Sequence, residues 1–218
     1  MIKADQITLD HLLIQQGALF TGTLMVPSLS SIEDVPDMEN CIPINLAIKA
    51  GGVGHWGHCF VKDELQNKYW NSPYAYIPTL KNLEGVIGPD FSLYRDYSLE
   101  RQQWNCYRNR VIAYHWQKNG INVIPTASWS TPDSFEWCWQ GLPSNSALAI
   151  TTNGIVSEKE GTRLFIIGLD ELIQRKNPHS LIVCGHFFPW MQEKYPQVRM
   201  IRIKSYGQIW NERKKAMR

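Results

Sequence analysis

Apolar residues in this chain fall into short runs that alternate with longer stretches of 3.6-residue periodicity. Runs at Ile42–Ala50, His58–Lys62, Gly85–Gly88, Asn122–Ala127, Ala147–Thr152, Leu181–Cys184 and Val198–Ile203 predict seven strands. They are apolar nearly throughout rather than on alternate residues, the pattern of strands buried on both faces. Between them the spacing predicts helices over Glu64–Trp70, Ser98–Lys118, Thr162–Lys176 and Ile209–Met217, with shorter pieces after Thr131-Pro132 and over Phe187–Lys194. Trp104, Tyr107, Val111 and Tyr114 form one stripe of the longest helix. Phe165, Leu169, Leu172 and Ile173 form the apolar face of the next. Gly120 and Gly141 stand where helices should stop.

Before the first strand, Thr8–Gln16 reads as a short helix ended by Gly17, and Gly22–Asn40, with Pro27 and Pro36, reads as a loop or arm. The expected organisation is an N-terminal helix and arm over 1–40 and a single α/β domain over 41–218. Alternating strands and helices predict an α/β fold with a mostly parallel sheet of repeated βα units joined by right-handed crossovers. Seven strands fall one short of a complete eight-unit barrel. The first expectation is therefore an incomplete or variant TIM-like barrel, and the second an open doubly wound sheet.

Composition sharpens this picture. With 218 residues, 44% hydrophobic and 19% charged, the chain can bury a large core without covalent staples. Cys41, Cys59, Cys106, Cys138 and Cys184 are odd in number and lack a C-x-x-C pair, which argues against a disulfide framework and a thiolate zinc site. Met1–Leu13 lacks a basic segment followed by an apolar core, and no apolar run approaches the roughly 18 residues of a membrane span. A cytoplasmic protein with no membrane partner is expected. The net charge of +2 implies no general attraction to nucleic acid. However, Arg199, Arg202, Lys204, Arg213, Lys214, Lys215 and Arg218 gather at the C-terminus, as a solvated helix face or a contact for phosphates.

In a parallel sheet all the strands' carboxyl ends emerge on one edge, and ligands bind there. That edge collects Lys62 and Asp63, Asp90 and Ser92, Ser128, Trp129 and Ser130, Thr151, Thr152 and Asn153, and finally Cys184 and His186. Asp90 directly follows Pro89 at a strand end, where a carboxylate must be solvated, paired or used. It is the first candidate for acid/base catalysis, against a turn bond to Ser92 or a pair with Arg95. Asp63 is its candidate catalytic partner, since two carboxylates on one edge suit glycosidic-bond cleavage. The plainer alternative makes Asp63 the N-cap of the helix from Glu64. Trp129 offers an indole for stacking, or packing across the strand mouth. Arg95, Ser92, Ser130, Asn153 and His58 complete the candidate substrate-binding set. His55, His58 and His186 lack a specific ligand spacing, so neither a metal nor another cofactor is expected. No G-x-x-x-x-G-K-S/T loop and no G-x-S-x-G setting occurs.

Several segments carry a resemblance: His58-Cys59-Phe60 with Asp63, Gly88-Pro89-Asp90-Phe91-Ser92-Leu93-Tyr94-Arg95-Asp96, and Ile124-Pro125-Thr126-Ala127-Ser128-Trp129-Ser130. Tyr114-His115-Trp116-Gln117, Gly141-Leu142-Pro143 and Cys184-Gly185 add to it. Over about Ile42 to Gly185 the chain resembles the domain of unknown function numbered 4417, found on prophages and other mobile elements. The resemblance implies a mobile-element context rather than a chemistry. Together, the residues and the context lead to two expectations. One is an enzyme acting on a nucleotide, nucleoside or nucleic acid by hydrolysis or transfer. The other is a non-catalytic accessory factor of a phage or plasmid that binds nucleic acid or protein.

Overall fold

The computed structural model describes residues 13, 16–36, 38–155 and 158–216. Strands β1 (Phe20–Thr21) and β2 (Val26–Pro27) pair antiparallel. They are followed by β3 (Cys41–Pro43), helix α1 (Ile44–Lys49), β4 (Trp56–His58), α2 (Asp63–Asn71) and α3 (Ile77–Leu80). Next come β5 (Gly85–Ile87), α4 (Leu99–Lys118), β6 (Val123–Ile124) and a 3-10 helix at Pro132–Glu136. The chain continues with β7 (Ala147–Thr151), α5 (Lys159–Lys176), β8 (Ser180–Cys184), α6 (Pro189–Lys194), β9 (Arg199–Ile203) and α7 (Tyr206–Ala216). The expected helix at Thr8–Gln16 falls largely outside the described residues.

Strands β3 to β6 pair in parallel in chain order, and so do β7 to β9. A parallel bridge of Thr126 to Ala149 joins the two groups, with Ala127 N–H donating to Ala149 O at 2.8 Å. The expectation of a parallel α/β fold holds. Among the described strands no ladder joins β9 to β3, so the array does not close into a barrel. It is open, as the second expectation had it, although its strand order runs in sequence without a reversal.

Both faces of the array are covered, as the continuous apolar runs required. Leu148 and Ile150 of β7 turn to the helices. Ala147 and Ala149 turn the other way, into a cluster with Cys41, Trp56, Ile87, Ile124, Ile182 and Ile203. Each of the seven parallel strands sends a side chain into that second cluster, so the array curls around it. The expected loop before β3 carries the β1–β2 pair and then crosses the strands' N-terminal end, leaving a cavity of about 580 Å³ between them. Val35 and Met38 pack into the inner cluster. Ala147 N–H donates to Ile32 O at 3.1 Å, and Arg199 Nη1 to Val35 O at 3.2 Å. The strands' C-terminal end is left for a site.

One expectation needs correction. Ile42–Ala50 is not one strand: β3 ends at Pro43 and α1 follows. Ile44 and Ala47 are buried three residues apart while Lys49 is exposed, which is a helical period hidden in a short apolar run. On α4 the stripe is buried at Val111 and Tyr114, while Trp104 is 45% exposed. The buried side of the helix also carries Asn105, Cys106, Asn109, Arg110, Ile112, Ala113 and Trp116. Asn105, Asn109 and Arg110 are polar and lie beside the strand ends.

Candidate functional site

A cleft of about 1290 Å³ opens at the C-terminal end of the strands. Phe60, Lys62 and Asp63 line it after β4, Asp90 and Ser92 to Tyr97 after β5, and Ala127 to Ser130 after β6. Thr151, Asn153 and Ile155 line it after β7, and Tyr206 from α7. Seven of the eight expected site residues therefore share one cleft: Asp90, Asp63, Trp129, Arg95, Ser92, Ser130 and Asn153.

His58 does not join them. It is fully buried beneath the cleft, its Nε2 3.2 Å from Lys204 O, while its Nδ1 has no partner. Burial pushes its pKa down to about 4, so the ring is neutral at physiological pH. Cys184 is buried, and His186 packs its ring edge against Phe188, 4.6 Å between centres. The end of β8 thus adds neither residue to the lining. Among the described residues, no group of three or more His, Cys, Asp or Glu side chains gathers at metal-binding distance.

The loop after β5 leaves the sheet, so its backbone needs partners other than ladder bonds. Side-chain amides supply them. Gln66 Oε1 accepts from Asp90 N–H at 2.9 Å, and Gln66 Nε2 donates to Asp90 O at 2.9 Å. Asn109 does the same for Phe91, at 2.7 and 3.2 Å. Asn105 donates to Ser92 O at 2.7 Å, and the Thr126 hydroxyl donates to Pro89 O. Gly88 enters this loop at φ +125, and a Cβ there would lie 2.4 Å from that of Cys59, so only glycine fits. The backbone around Asp90 is fixed on every side.

The Asp90 side chain is partly exposed to the cleft. Burial dominates its titration and pushes the carboxyl up to about 7; nearby Asp63 adds to the rise, while a bond from Ser128 and the charge of Arg110 oppose it. The expected pair with Arg95 is not formed, because Arg95 binds Glu158 at 2.6 Å on the exposed rim. Asp63 is not an N-cap. The helix starts at Asp63 itself, and its carboxylate accepts the Ser92 N–H at 3.2 Å and hydroxyl at 3.0 Å. The second carboxylate is thereby tied to the loop that bears the first.

Trp129 forms a fixed wall. Its Nε1 donates to Leu164 O at 3.1 Å, and its ring stacks on Phe165 with centres 5.6 Å apart. Ser130 is buried with no partner for its hydroxyl, while its N–H donates to Ser134 Oγ at 3.0 Å. Asn153 is exposed, and its N–H donates to Thr151 Oγ1 at 3.1 Å.

Sequence reasoning missed three sets of residues. Tyr94 and Tyr97 pack edge to face 5.1 Å apart at the mouth, with the Arg101 guanidinium 4.1 Å from the Tyr97 ring centre. The Tyr94-x-x-Tyr97 spacing was a usable signal. Phe165 and Tyr206 arrive from distant helices and gave none. Arg110 of α4 is 2% exposed and donates to the carbonyls of Cys138, Gln140 and Thr126 at 2.7, 2.9 and 3.2 Å. It fixes the strand end behind Asp90 rather than the solvent face of α4.

The fold thus defines an α/β protein of parallel strands with a cleft, holding Asp63 and Asp90, at their carboxyl edge. The chain belongs to the family described as Domain of unknown function (DUF4417), whose model matches residues 19–203. It is 35% identical over 196 residues to the Gene 1 protein of Mycobacterium phage D29, covering 85% of this chain and 71% of that protein. It is also 35% identical over 199 residues to the Gene 1 protein of Mycobacterium phage L5, covering 85% and 83%. No solved structure matches the chain. The family resemblance read from the motifs is confirmed, and the phage relatives fit the expected mobile-element context.

Proposed function

We propose that this protein is a phage-associated enzyme that acts on a nucleotide, nucleoside or nucleic acid, with Asp90 as its general acid. One observation carries the reading: a carboxyl poised at about 7 on the wall of a large cleft, where a proton donor is needed. Glycosidic cleavage suits the arrangement best. Asp90 would protonate the departing base, Asp63, oriented by Ser92, would stabilise the positive charge that develops on the sugar, and water would add to the anomeric carbon and release a proton. Trp129 supplies a flat wall for a ring. Ser130 supplies an unpaired hydroxyl, and Asn153 and Arg95 lie at the rim to position the substrate. The five free, buried cysteines suit a reducing compartment, so we place the protein in the host cytoplasm.

The test is a screen for base release from nucleosides, nucleotides and oligonucleotides, comparing wild type with Asp90→Asn. Loss of about 10²-fold or more in the variant, with an unchanged fold, is expected for a general acid. Equal turnover in the two proteins rejects the assignment. The exposed terminal helix α7 favours a second reading, a non-catalytic accessory factor, for which Asp90→Asn would leave every function intact.

A further inference from the structure

Helix α7 starts from a reciprocal cap. Ser205 Oγ accepts from Gln208 N–H at 3.4 Å, and Gln208 Oε1 accepts from Ser205 N–H at 2.8 Å. Gln208 Nε2 donates to Gly185 O at 3.3 Å, and Lys204 pairs with Glu212 at 2.8 Å. The first turn is therefore fixed to the body. Beyond it the helix stands in solvent, and Ile209 alone among its described side chains is half-buried.

Short helices in water ordinarily persist by burying an apolar face. This one leaves its two largest rings uncovered, Tyr206 at 42% and Trp210 at 51% exposure. The Lys214 ammonium lies 5.7 Å from the Trp210 ring centre. Tyr206, Trp210 and Lys214 are spaced i, i+4, i+8, so they form one stripe with steps of about 6 Å. Tyr206 also lines the cleft, and the stripe runs outward from the cleft mouth. Charge is concentrated in the same stretch of sequence. Lys204 to Arg218 holds five basic residues and one acid, net +4, in a chain whose total is +2, so the remainder is net −2.

Rings one helical turn apart, next to positive charge, on a surface leading into a cleft suit a flexible polyanion with accessible bases. We propose that α7 is a landing track for single-stranded nucleic acid. Tyr206 and Trp210 stack on bases, Lys214 and Lys215 contact phosphates, and the strand's end is led toward Asp90. A duplex hides its base faces and offers the track only phosphates. A membrane surface demands a broad apolar face. On α7 that face is limited to Tyr206, Ile209 and Trp210, with Gly207, Gln208 and Asn211 between and beside them. The delivery of the strand to the cleft rests on the reading of Asp90 given above; stacking on α7 does not.

The experiment measures fluorescence anisotropy of a labelled 12-nucleotide single strand with the full chain, at 50 and 200 mM salt. Binding that weakens with salt is expected. Trp210→Ala should weaken it about tenfold, Trp210→Phe should recover most of the loss, and Lys214→Glu should reduce both affinity and salt slope. Asp90→Asn should keep strand binding while losing base release. Wild type that binds the strand without any base release would reject the catalytic reading and support the track. Trp210→Ala with wild-type strand affinity overturns the proposal. So does tighter binding to a duplex of equal length, or Trp210-dependent binding to phosphatidylserine vesicles without strand binding.

Discussion

Asp63 accepts both the backbone N–H and the hydroxyl of Ser92, at 3.2 and 3.0 Å, across 29 residues of chain. This one carboxylate ties the start of α2 to the loop that follows Asp90. Asp63→Ala leaves both donors without an acceptor and should cost about 1–3 kcal/mol in urea unfolding. Asp63→Asn retains one acceptor oxygen and should lose less. If Asp63→Ala and Ser92→Ala proved additive in a double-mutant cycle, the pair would be uncoupled and this account would fail.

Asp90 should make stability depend on pH in a direction opposite to most carboxylates. Its folded pKa, about 7, lies above its ordinary 3.8, so between these values the folded state holds a proton that the unfolded state has released. Its contribution is favourable at low pH, is lost as pH rises from about 4 through 7, and amounts to at most about 4 kcal/mol. Between pH 5 and pH 8 wild type should lose stability relative to Asp90→Asn, the difference between the two curves being the Asp90 contribution. Parallel curves would mean that Asp90 titrates normally. Under the catalytic reading, kcat/KM should also fall above pH 7 as the acid loses its proton.

His58 works in the opposite sense. Its folded pKa of about 4 lies below the ordinary 6.5, so the unfolded state gains the proton first as pH falls. Stability from this group is complete above 6.5 and is lost toward pH 4, by about 3 kcal/mol at most. The two windows overlap, so wild type shows their difference and only single variants separate them. His58→Gln, which can still donate to Lys204 O, should flatten the acid limb. Retention of that limb in His58→Gln would assign it to another group.

Gly168→Ala should destabilise the protein even though alanine favours a helix interior over glycine by about 1 kcal/mol. A Cβ at residue 168 would stand 2.0 Å from Trp129 Nε1, so the indole must move off α5 and the cleft wall must shift. A net loss of about 1–3 kcal/mol by thermal or urea unfolding is expected, partly recovered in Gly168→Ala/Trp129→Phe. A gain in stability would show that Trp129 is not locked.

The sequence by itself determined the order of the seven parallel strands and of the longer helices, and with it the edge that gathers Asp63, Asp90, Ser92, Arg95, Trp129, Ser130 and Asn153. Those readings depend on the period of apolar residues, which a segment carries within itself. Tertiary structure alone decided that the strand array stays open, that Ile44–Lys49 turns helical, and that Trp104 faces solvent while Arg110 faces inward. It also decided that His58 lies below the cleft, that Gln66, Asn105 and Asn109 hold the Asp90 loop, and that Asp90 keeps a proton near neutrality. Each of these depends on desolvation or on a hydrogen-bond partner brought from far along the chain, and local periodicity carries no record of which distant group will fill the space.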